Sequence, residues 1–341
     1  MPSTRSVTVY GASGHTGRFV VAELGRRGWL PVLAGRDAGK LEEVAARHPG
    51  LEVRVASTDD AASLDRAVDG AAAVVNCAGP FAFTAAPVIE AALRARVPYL
   101  DVAAEADVVA ATIERFDGPA RAAGVVVAPA LAFFGGLGDL LATAAMGDWD
   151  RADRIDLAYA LSSWQPTRGT RETGEANDVR RRGGRLVFAD GRLGLRSDEA
   201  AVGTWDFPPP IGRQEVVEEF TTADCVTLSH HLDVAEIREC MTRAPLADLA
   251  WTAQPAPPAV DGRGRSAQTF LVEAVVHRGR DERRTAARGQ DIYAVSAPIV
   301  VEAMERLLAA PERSGVVPAG AVSDAADLLD ALTPGHLVFE R

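Results

Sequence analysis

The sequence predicts an α/β protein, in which a doubly wound parallel sheet is followed by an inserted α+β domain carrying a mainly antiparallel sheet. Two observations support this fold class. In residues 1–134, short apolar β-branched runs alternate with longer amphipathic segments, as in parallel strands joined by crossover helices. Beyond residues 135–146, which look helical, apolar and polar residues alternate in segments separated by Gly and Pro clusters, which indicates antiparallel strands.

The first part of the chain contains six predicted strands and five predicted helices. The strands read as near-continuous apolar runs, as expected when helices cover both faces of a parallel sheet. We predict strands at residues 6–10, 30–34, 51–56, 73–76, 99–102 and 124–128. We predict helices at residues 14–27, 38–47, 61–68, 85–94 and 107–122.

The second part contains segments of alternating polarity at residues 154–161, 185–188, 270–277 and 283–289, and the last two form a predicted hairpin. Residues 208–210 and 255–258 are predicted loops, because Pro lacks the N–H that strand pairing needs. Ser296, as N-cap, with Pro298 in the first turn is predicted to open a helix to about residue 309. We expect domains at residues 1–134 and 135–290, and a segment 291–341 that returns to the first domain.

Composition limits the classes of function. The 341 residues are 48% hydrophobic and 24% charged, which suits two domains with cores of their own. No apolar stretch approaches the roughly 20 residues of a membrane span, and the first ten residues lack a secretory pattern, so we expect a cytoplasmic protein. The net charge of −11 argues against a nucleic-acid partner, and a short basic run at residues 180–185 is expected on a solvated turn.

The three cysteines, Cys77, Cys225 and Cys240, are odd in number and widely spaced. They therefore predict neither a disulfide framework nor a metal-binding pair, and we expect no metal site.

A glycine-rich loop directly follows the first predicted strand and leads into a helix. Glycines in this place allow a sharp turn and a close approach to a pyrophosphate, while the free N–H groups of the helix start face the anion. The alternative is an ordinary tight turn between strand and helix. The residues predicted to bind the cofactor here are Gly11, Ala12, Ser13, Gly14, His15, Thr16 and Gly17.

The residues at the end of the second strand determine whether such a site prefers NAD or NADP. Arg36 offers a planar guanidinium suited to a 2′-phosphate, and Lys40, one helical turn later, can add a second positive charge. We therefore predict NADP in preference to NAD. In the alternative interpretation, Arg36 is solvated, while Asp37 caps the helix and binds the ribose.

Small residues end the fourth strand, where Ala78, Gly79 and Pro80 are predicted to line the ribose and nicotinamide end of the groove. Cys77, beside them, is interpreted as a buried packing residue.

Two carboxyls follow the fifth strand at the same rim. Asp101 and Glu105 are candidate catalytic residues that would hold the nicotinamide side or a substrate amine. An N-cap role is the alternative for either residue.

Together, these segments resemble the saccharopine dehydrogenase-like family of reductases. The matching pieces are residues 7–17, 34–36, 76–81, 99–101 with Glu105, and 291–298. The resemblance implies a Rossmann domain, an inserted domain whose sheet covers the cleft and supports a homodimer, and NADP-dependent reduction of small molecules such as imines. Glu105 follows Ala103-Ala104 where relatives often have a Gly, and the inserted domain is short, so the substrate does not carry over.

Catalysis by a lysine is excluded outside the first domain, because Lys40 is the only lysine in the chain. The Tyr-x-x-x-Lys pair of short-chain dehydrogenases is also absent.

Polar residues of the second part supply further candidates. Arg168 and Arg171, on a predicted Gly/Pro loop at residues 164–172, would clamp a substrate carboxylate, although exposed arginines are often merely solvated. His230, next to His231, is a candidate proton donor because imidazole titrates near neutrality. A packed or surface His pair is the alternative.

These features predict an NADP-dependent oxidoreductase that reduces a C=N or C=O bond of a small molecule by hydride transfer. One alternative is an enoyl reductase acting on C=C bonds of lipid or polyketide intermediates, which a long apolar tunnel would favour over an Arg-lined cleft. Another is a redox sensor that binds NADP without turnover.

Overall fold

The computed structural model describes residues 5–181, 183–250 and 257–341. Its first part alternates strands and helices as predicted. The elements are β1 (Ser6–Tyr10), α1 (His15–Arg26), β2 (Leu30–Gly35), α2 (Ala38–Ala45), β3 (Val53–Val55), α3 (Ala61–Val68), β4 (Ala73–Asn76), α4 (Phe81–Ala95), β5 (Tyr99–Asp101), α5 (Ala106–Ala123) and β6 (Val126–Ala128).

The second part begins with a kinked turn at Phe133–Leu137, in which Phe134 and Gly135 are not helical, and it contains more strands and helices than the polarity pattern predicts. The elements are α6 (Gly138–Met146), β7 (Arg151–Leu161), α7 (Arg168–Arg181), β8 (Arg185–Ala189), β9 (Arg192–Arg196), β10 (Val202–Phe207), β11 (Gly212–Glu218), α8 (Asp224–His231), β12 (Asp233–Thr242), α9 (Arg243–Leu246), β13 (Thr269–Arg278) and β14 (Asp281–Gln290). The predicted hairpin is confirmed, since β13 and β14 pair antiparallel along their whole length. Pro208–Pro210 form the turn between β10 and β11, while part of the predicted loop 255–258 lies outside the described residues.

The last part of the chain contains α10 (Ile292–Ala309), β15 (Gly315–Val316), α11 (Ala325–Leu332) and β16 (Leu337–Glu340). The predicted start of α10 is wrong. Asp291, not Ser296, is its N-cap, because the Asp291 carboxylate accepts hydrogen bonds from the N–H groups of Tyr293 and Ala294. The Ser296 hydroxyl instead donates to the carbonyl of Ile292 inside the helix.

Two sheets organise the molecule and confirm the predicted fold class. The first is parallel, in the order β15-β6-β5-β4-β1-β2-β3. The second has the order β10-β11-β12-β7-β13-β14-β16, with β8 and β9 attached through β12. This sheet is mixed, because β12 and β7 run parallel while its other pairs are antiparallel.

The C-terminal segment joins both sheets. Its strand β15 extends the parallel sheet beside β6, whereas β16 pairs with β14 at the edge of the second sheet. Helix α10 packs against α1. One buried apolar cluster contains residues of both sheets, such as Val74 and Val272, so the two halves share a core. Within the described residues, none of the helices has both the length and the apolar character that crossing a bilayer requires.

Candidate functional site

The glycine loop lies where β1 ends, against the loop that follows β4. Gly11 has a φ of +85°, and a Cβ on it would stand 2.7 Å from the backbone nitrogen of Ala78. A Cβ on Gly17 would overlap the carbonyl oxygen of Gly11, and one on Gly14 would lie 3.1 Å from the same oxygen. This tight packing therefore requires glycine at Gly11 and Gly17, whereas a Cβ on Gly14 would call for a shift of only a few tenths of an ångström.

Helix α1 begins directly on this loop, with Gly14 at its N-cap. Gly14 has no side chain to accept a hydrogen bond from the first turn, whose N–H groups also lack acceptors within the helix. These donors and the positive end of the helix dipole face the same side as the loop. The backbone of this loop and the first turn of α1 form a cradle without side chains at Gly11, Gly14 and Gly17, which suits a diphosphate.

His15 and Thr16 open α1, and the imidazole ring of His15 packs between two aromatic rings. Its centroid lies 5.3 Å from that of Phe19 and 5.2 Å from that of Tyr293, both in edge-to-face geometry. Burial lowers the pKa of His15 below its usual value. Helix α10, which carries Tyr293, is thereby attached to the glycine loop. In the same loop, Ala12 is fully buried, and the Ser13 carbonyl accepts from Arg18.

Two cations, Arg36 and Lys40, follow the end of β2, and they differ in their partners. The Asp37 carboxylate accepts a 3.1 Å hydrogen bond from the backbone N–H of Lys40 and caps α2, as the alternative interpretation supposed. It also pairs with the Lys40 ammonium at 3.1 Å. Arg36 is exposed, and within the described ranges its guanidinium forms no ion pair.

The loop after β4 is held by Asn76, a fully buried residue to which sequence reasoning gave no role. Its side-chain oxygen accepts from the N–H of Ala78 at 3.0 Å, and its amide donates to Tyr99 and Thr84. These bonds fix the approach of Ala78 to Gly11. Cys77 is buried, and burial raises the pKa of its thiol, as expected for a packing residue.

Asp101 is only 1% exposed and joins two loops of the parallel sheet. Its carboxylate accepts hydrogen bonds from the N–H groups of Ala103 (3.0 Å) and Ala130 (2.7 Å) and from the Tyr99 hydroxyl (2.7 Å). Burial raises the pKa of Asp101 to about 6. This geometry favours a positioning role over direct proton transfer to a substrate.

Glu105 is also 1% exposed, and burial raises its pKa. It occupies the N-cap position of α5, but its side chain caps a different helix. Its Oε1 accepts from the N–H of Phe81, the first residue of α4, at 3.0 Å, and its Oε2 accepts from Ala104. Its Oε1 also accepts from the Thr173 hydroxyl at 3.4 Å, so Glu105 links the rim of the groove to α7.

Helix α7 covers this rim, so the predicted loop at residues 164–172 is confirmed for residues 164–167 and wrong for residues 168–172, which are helical. Thr173 lies over Gly79, since a Cβ on that glycine would stand 3.3 Å from the Thr173 hydroxyl oxygen. Farther along the helix, Arg180 pairs with Asp107 of α5 at 2.8 Å. At its start, Thr170 bonds the Tyr293 hydroxyl at 3.0 Å. The helix therefore spans Ala78, Gly79 and Pro80 from the glycine-loop side to α5.

The two candidate arginines of α7 differ in exposure. Arg168 is 83% exposed and pairs with Glu172 one helical turn later, at 2.6 Å, whereas Arg171 is half-buried. Arg168 thus belongs to the solvated face of the helix.

The structure does not bring His230 together with the other candidates. It is exposed at the end of α8, beside β15. In the parallel sheet β15 is three strands from β4, which amounts to about 14 Å at ordinary strand spacing. Among the described residues, no group of three or more His, Cys, Asp or Glu side chains is arranged to hold a metal ion.

A buried polar cluster, missed by sequence reasoning, supports the turn after β6. The Asp224 carboxylate accepts from the N–H of Gly135 and the hydroxyl of Tyr159, both at 2.8 Å, and from the Thr222 hydroxyl. Thr222 also contacts Glu239. Burial raises the pKa of Glu239 to about 8, so its protonated carboxyl can donate to Thr222 while Thr222 donates to Asp224.

The strand order β3-β2-β1-β4-β5-β6 and the glycine loop on β1 define a Rossmann-type nucleotide-binding protein with an added mixed-sheet domain. Residues 7–127 match the family model described as the saccharopine dehydrogenase NADP binding domain. This part of the chain is therefore similar to the family of saccharopine dehydrogenase NADP binding domains, and the resemblance found in the sequence is confirmed.

Curated relatives match part of the chain. The human saccharopine dehydrogenase-like oxidoreductase is 35% identical over 117 residues, which cover 29% of this chain and 27% of the human protein. A lipid droplet localized protein of Caenorhabditis elegans is 31% identical over 140 residues, covering 38% of this chain and 33% of that protein. The matches thus span about a third or less of the relatives' length.

A solved structure matches nearly the whole chain. Apo saccharopine dehydrogenase (L-Glu forming) from Saccharomyces cerevisiae aligns with a TM-score of 0.66 over 98% of this chain and 99% of the yeast chain, at 10% identity. At this identity the likeness shows a shared two-domain fold.

Proposed function

We propose that this protein is an NADP-dependent oxidoreductase that reduces a C=N or C=O bond of a small molecule. The family that residues 7–127 match and the fold shared with the yeast dehydrogenase support this function. The observation that carries it is the glycine loop at the start of α1, where a Cβ on Gly17 would overlap the Gly11 carbonyl oxygen and a Cβ on Gly11 would press on Ala78.

In this function the chain binds and orients the cofactor, which supplies the hydride. The first-turn N–H groups of α1 donate to the diphosphate, with His15 and Thr16 at the helix start. Arg36, which has no ion-pair partner in the described chain, binds the 2′-phosphate. Lys40 is held one turn away by Asp37 and adds positive charge.

The nicotinamide end lies along Ala78, Gly79 and Pro80, beneath Thr173 of α7. Asn76 holds the loop after β4 through Ala78, and Asp101 holds the loop after β6 through Ala130. Glu105 links the rim of the groove to Thr173 of α7. By covering the rim, α7 excludes water from the place where hydride transfer would occur.

Matched glycine variants test cofactor binding. Gly17→Ala places a methyl group onto the Gly11 carbonyl, whereas a Cβ on Gly25, in the same helix, meets nothing within 4 Å. NADPH titrated by calorimetry should bind the wild type and Gly25→Ala equally, and Gly17→Ala at least tenfold more weakly. If the wild type binds neither NADPH nor NADH, the proposal is wrong.

A substrate panel then tests turnover. Consumption of NADPH, followed by its absorbance, should accelerate with at least one class among imines, aldehydes and ketones. Binding without turnover on any of these, or on enones, would instead support the non-catalytic sensor.

Reduction of a C=C bond is a second candidate, favoured by an aromatic group next to the turn after β6. The ring centroid of Phe134 lies 5.6 Å from that of Trp164 and 6.1 Å from that of Phe220. Aromatic side chains of this kind would suit an apolar substrate better than a carboxylate. Preference for enones over imines in the panel would select this candidate.

The resemblance also implies a homodimer formed through the second sheet, and we propose this assembly. Light scattering on the purified protein should give twice the mass of the 35.9 kDa chain. A monomer at micromolar concentration would reject it.

A further inference from the structure

An open cleft lies at the edge of the parallel sheet, away from the glycine loop. It has a volume of about 390 Å³ and lies between the end of α5, the end of α8 and the segment that carries β15. Four of its nine lining residues are Arg or His, namely Arg121, His230, His231 and Arg313, and none is acidic. Such a lining is unexpected on a chain with a net charge of −11.

His231 contacts a buried carboxylate, that of Asp139, which favours the protonated imidazole. The carboxylate of Asp139 is fully buried and lies 2.8 Å from His231 Nε2. Burial alone would lower the pKa of His231, but the charge of Asp139 and its hydrogen bond raise that pKa above the usual value. Asp139 also accepts from the N–H of Gly320, so the imidazole is anchored to the segment on the other side of the cleft.

The two arginines differ in their partners. Arg313 donates to the carbonyl oxygens of Ala321 and Val322, which hold the side chain without neutralising it. Arg121 is 60% exposed and shares a 2.9 Å ion pair with Asp117, whose other oxygen accepts from the N–H of Val316.

Among the described residues, the carboxylates that contact the basic side chains of the cleft are those of Asp117 and Asp139. Asp117 already binds Arg121 and the N–H of Val316, and Asp139 already binds His231. With His231 protonated, three positive side chains stand against two carboxylates. His230 adds a second imidazole to the lining of the cleft.

We propose that this cleft binds a phosphate monoester group of a small molecule. A guanidinium presents parallel N–H donors that match phosphate oxygens, and the imidazole donors add to them. The cleft is larger than a bare phosphate, so an apolar part of the ligand would lie on Val316, Val317 and Pro318.

Inorganic phosphate titrated into labelled protein tests the site, with the histidine ring signals followed by NMR and chloride at matched ionic strength as the blank. His230→Gln and His231→Gln identify the two signals. We expect both to shift and saturate with phosphate. Arg121→Gln should weaken binding at least tenfold. Arg115→Gln, which removes a comparable exposed ion pair of α5 with Glu90, should leave binding unchanged.

Three results would overturn the proposal. The first is the absence of a saturable shift of the histidine signals with phosphate. The second is an equal phosphate affinity of Arg121→Gln and Arg115→Gln. The third is loss of the shift in Arg36→Gln, which would place the phosphate at the cofactor site instead. If the site binds as proposed, tighter binding of glycerol 3-phosphate than of phosphatidate vesicles identifies a soluble ester as the ligand. The reverse order identifies a lipid headgroup.

Discussion

Glu105 Oε1 accepts a 3.0 Å hydrogen bond from the backbone N–H of Phe81, so a side chain beyond β5 caps the helix that follows β4. The same oxygen lies 3.4 Å from the Thr173 hydroxyl of α7. One buried carboxylate thus connects two neighbouring loops of the parallel sheet with the helix of the other domain that covers them.

Replacing Glu105 should show how much its capping of α4 contributes to stability. Glu105→Ala removes the acceptor and should lower the free energy of unfolding by about 1–2 kcal/mol, the usual cost of losing a cap. Glu105→Gln keeps one oxygen acceptor and should lose less than half of this. Urea unfolding of both variants measures the difference, and equal losses would show that the acceptor is not what matters.

Cofactor preference should depend on Arg36. Arg36→Gln removes the guanidinium that we assign to the 2′-phosphate, and a charge-assisted hydrogen bond of this kind contributes about 1.5–3 kcal/mol. NADPH affinity should therefore fall by one to two orders of magnitude, by calorimetry, while NADH affinity stays the same. An unchanged ratio of the two affinities would remove Arg36 from the specificity argument.

The ion pair between Arg180 and Asp107 should slow cofactor release. Both side chains are about 30% exposed, so the pair contributes about 0.2–1 kcal/mol at most. Arg180→Gln should raise the NADPH dissociation rate in stopped-flow measurements by about two- to fivefold, with little change in thermal stability. Arg168→Gln is the matched control, because it breaks an ion pair of the same helix that does not reach the first domain. Equal rates for the two variants would mean that α7 does not retain the cofactor.

Stability should fall with rising pH because of Glu239. Burial raises the pKa of Glu239 from 4.5 in the unfolded chain to about 8, so the folded state binds this proton more tightly. The resulting stability is complete below pH 4.5 and is lost progressively as the pH rises to about 8.

Glu239→Gln keeps a neutral group beside Thr222, so its urea midpoint should decrease much less than that of the wild type between those pH values. Glu215→Gln, at an exposed position, should behave like the wild type. Parallel curves for all three proteins would contradict the protonated state of Glu239.

The elements of the first domain were predictable because their signals are local. Strands such as Ala73–Asn76 are short apolar runs bounded by turn residues, and the spacing of Gly11, Gly14 and Gly17 matches the turn that β1 must make into α1. Helix α7 escaped prediction because its segment is polar and has no apolar stripe. Its contacts with Glu105, Asp107 and Tyr293 are made to residues distant in sequence.

The amino-acid order alone thus determined the parallel sheet, the glycine cradle and the place of Arg36, since periodicity and turn chemistry act between near neighbours along the chain. Tertiary structure decided the rest. It buried Asp101 and Glu105 as loop anchors, placed α7 over the rim and moved His230 to the far edge of the sheet. Those outcomes depend on strand order and on partners many residues away, which no local pattern encodes.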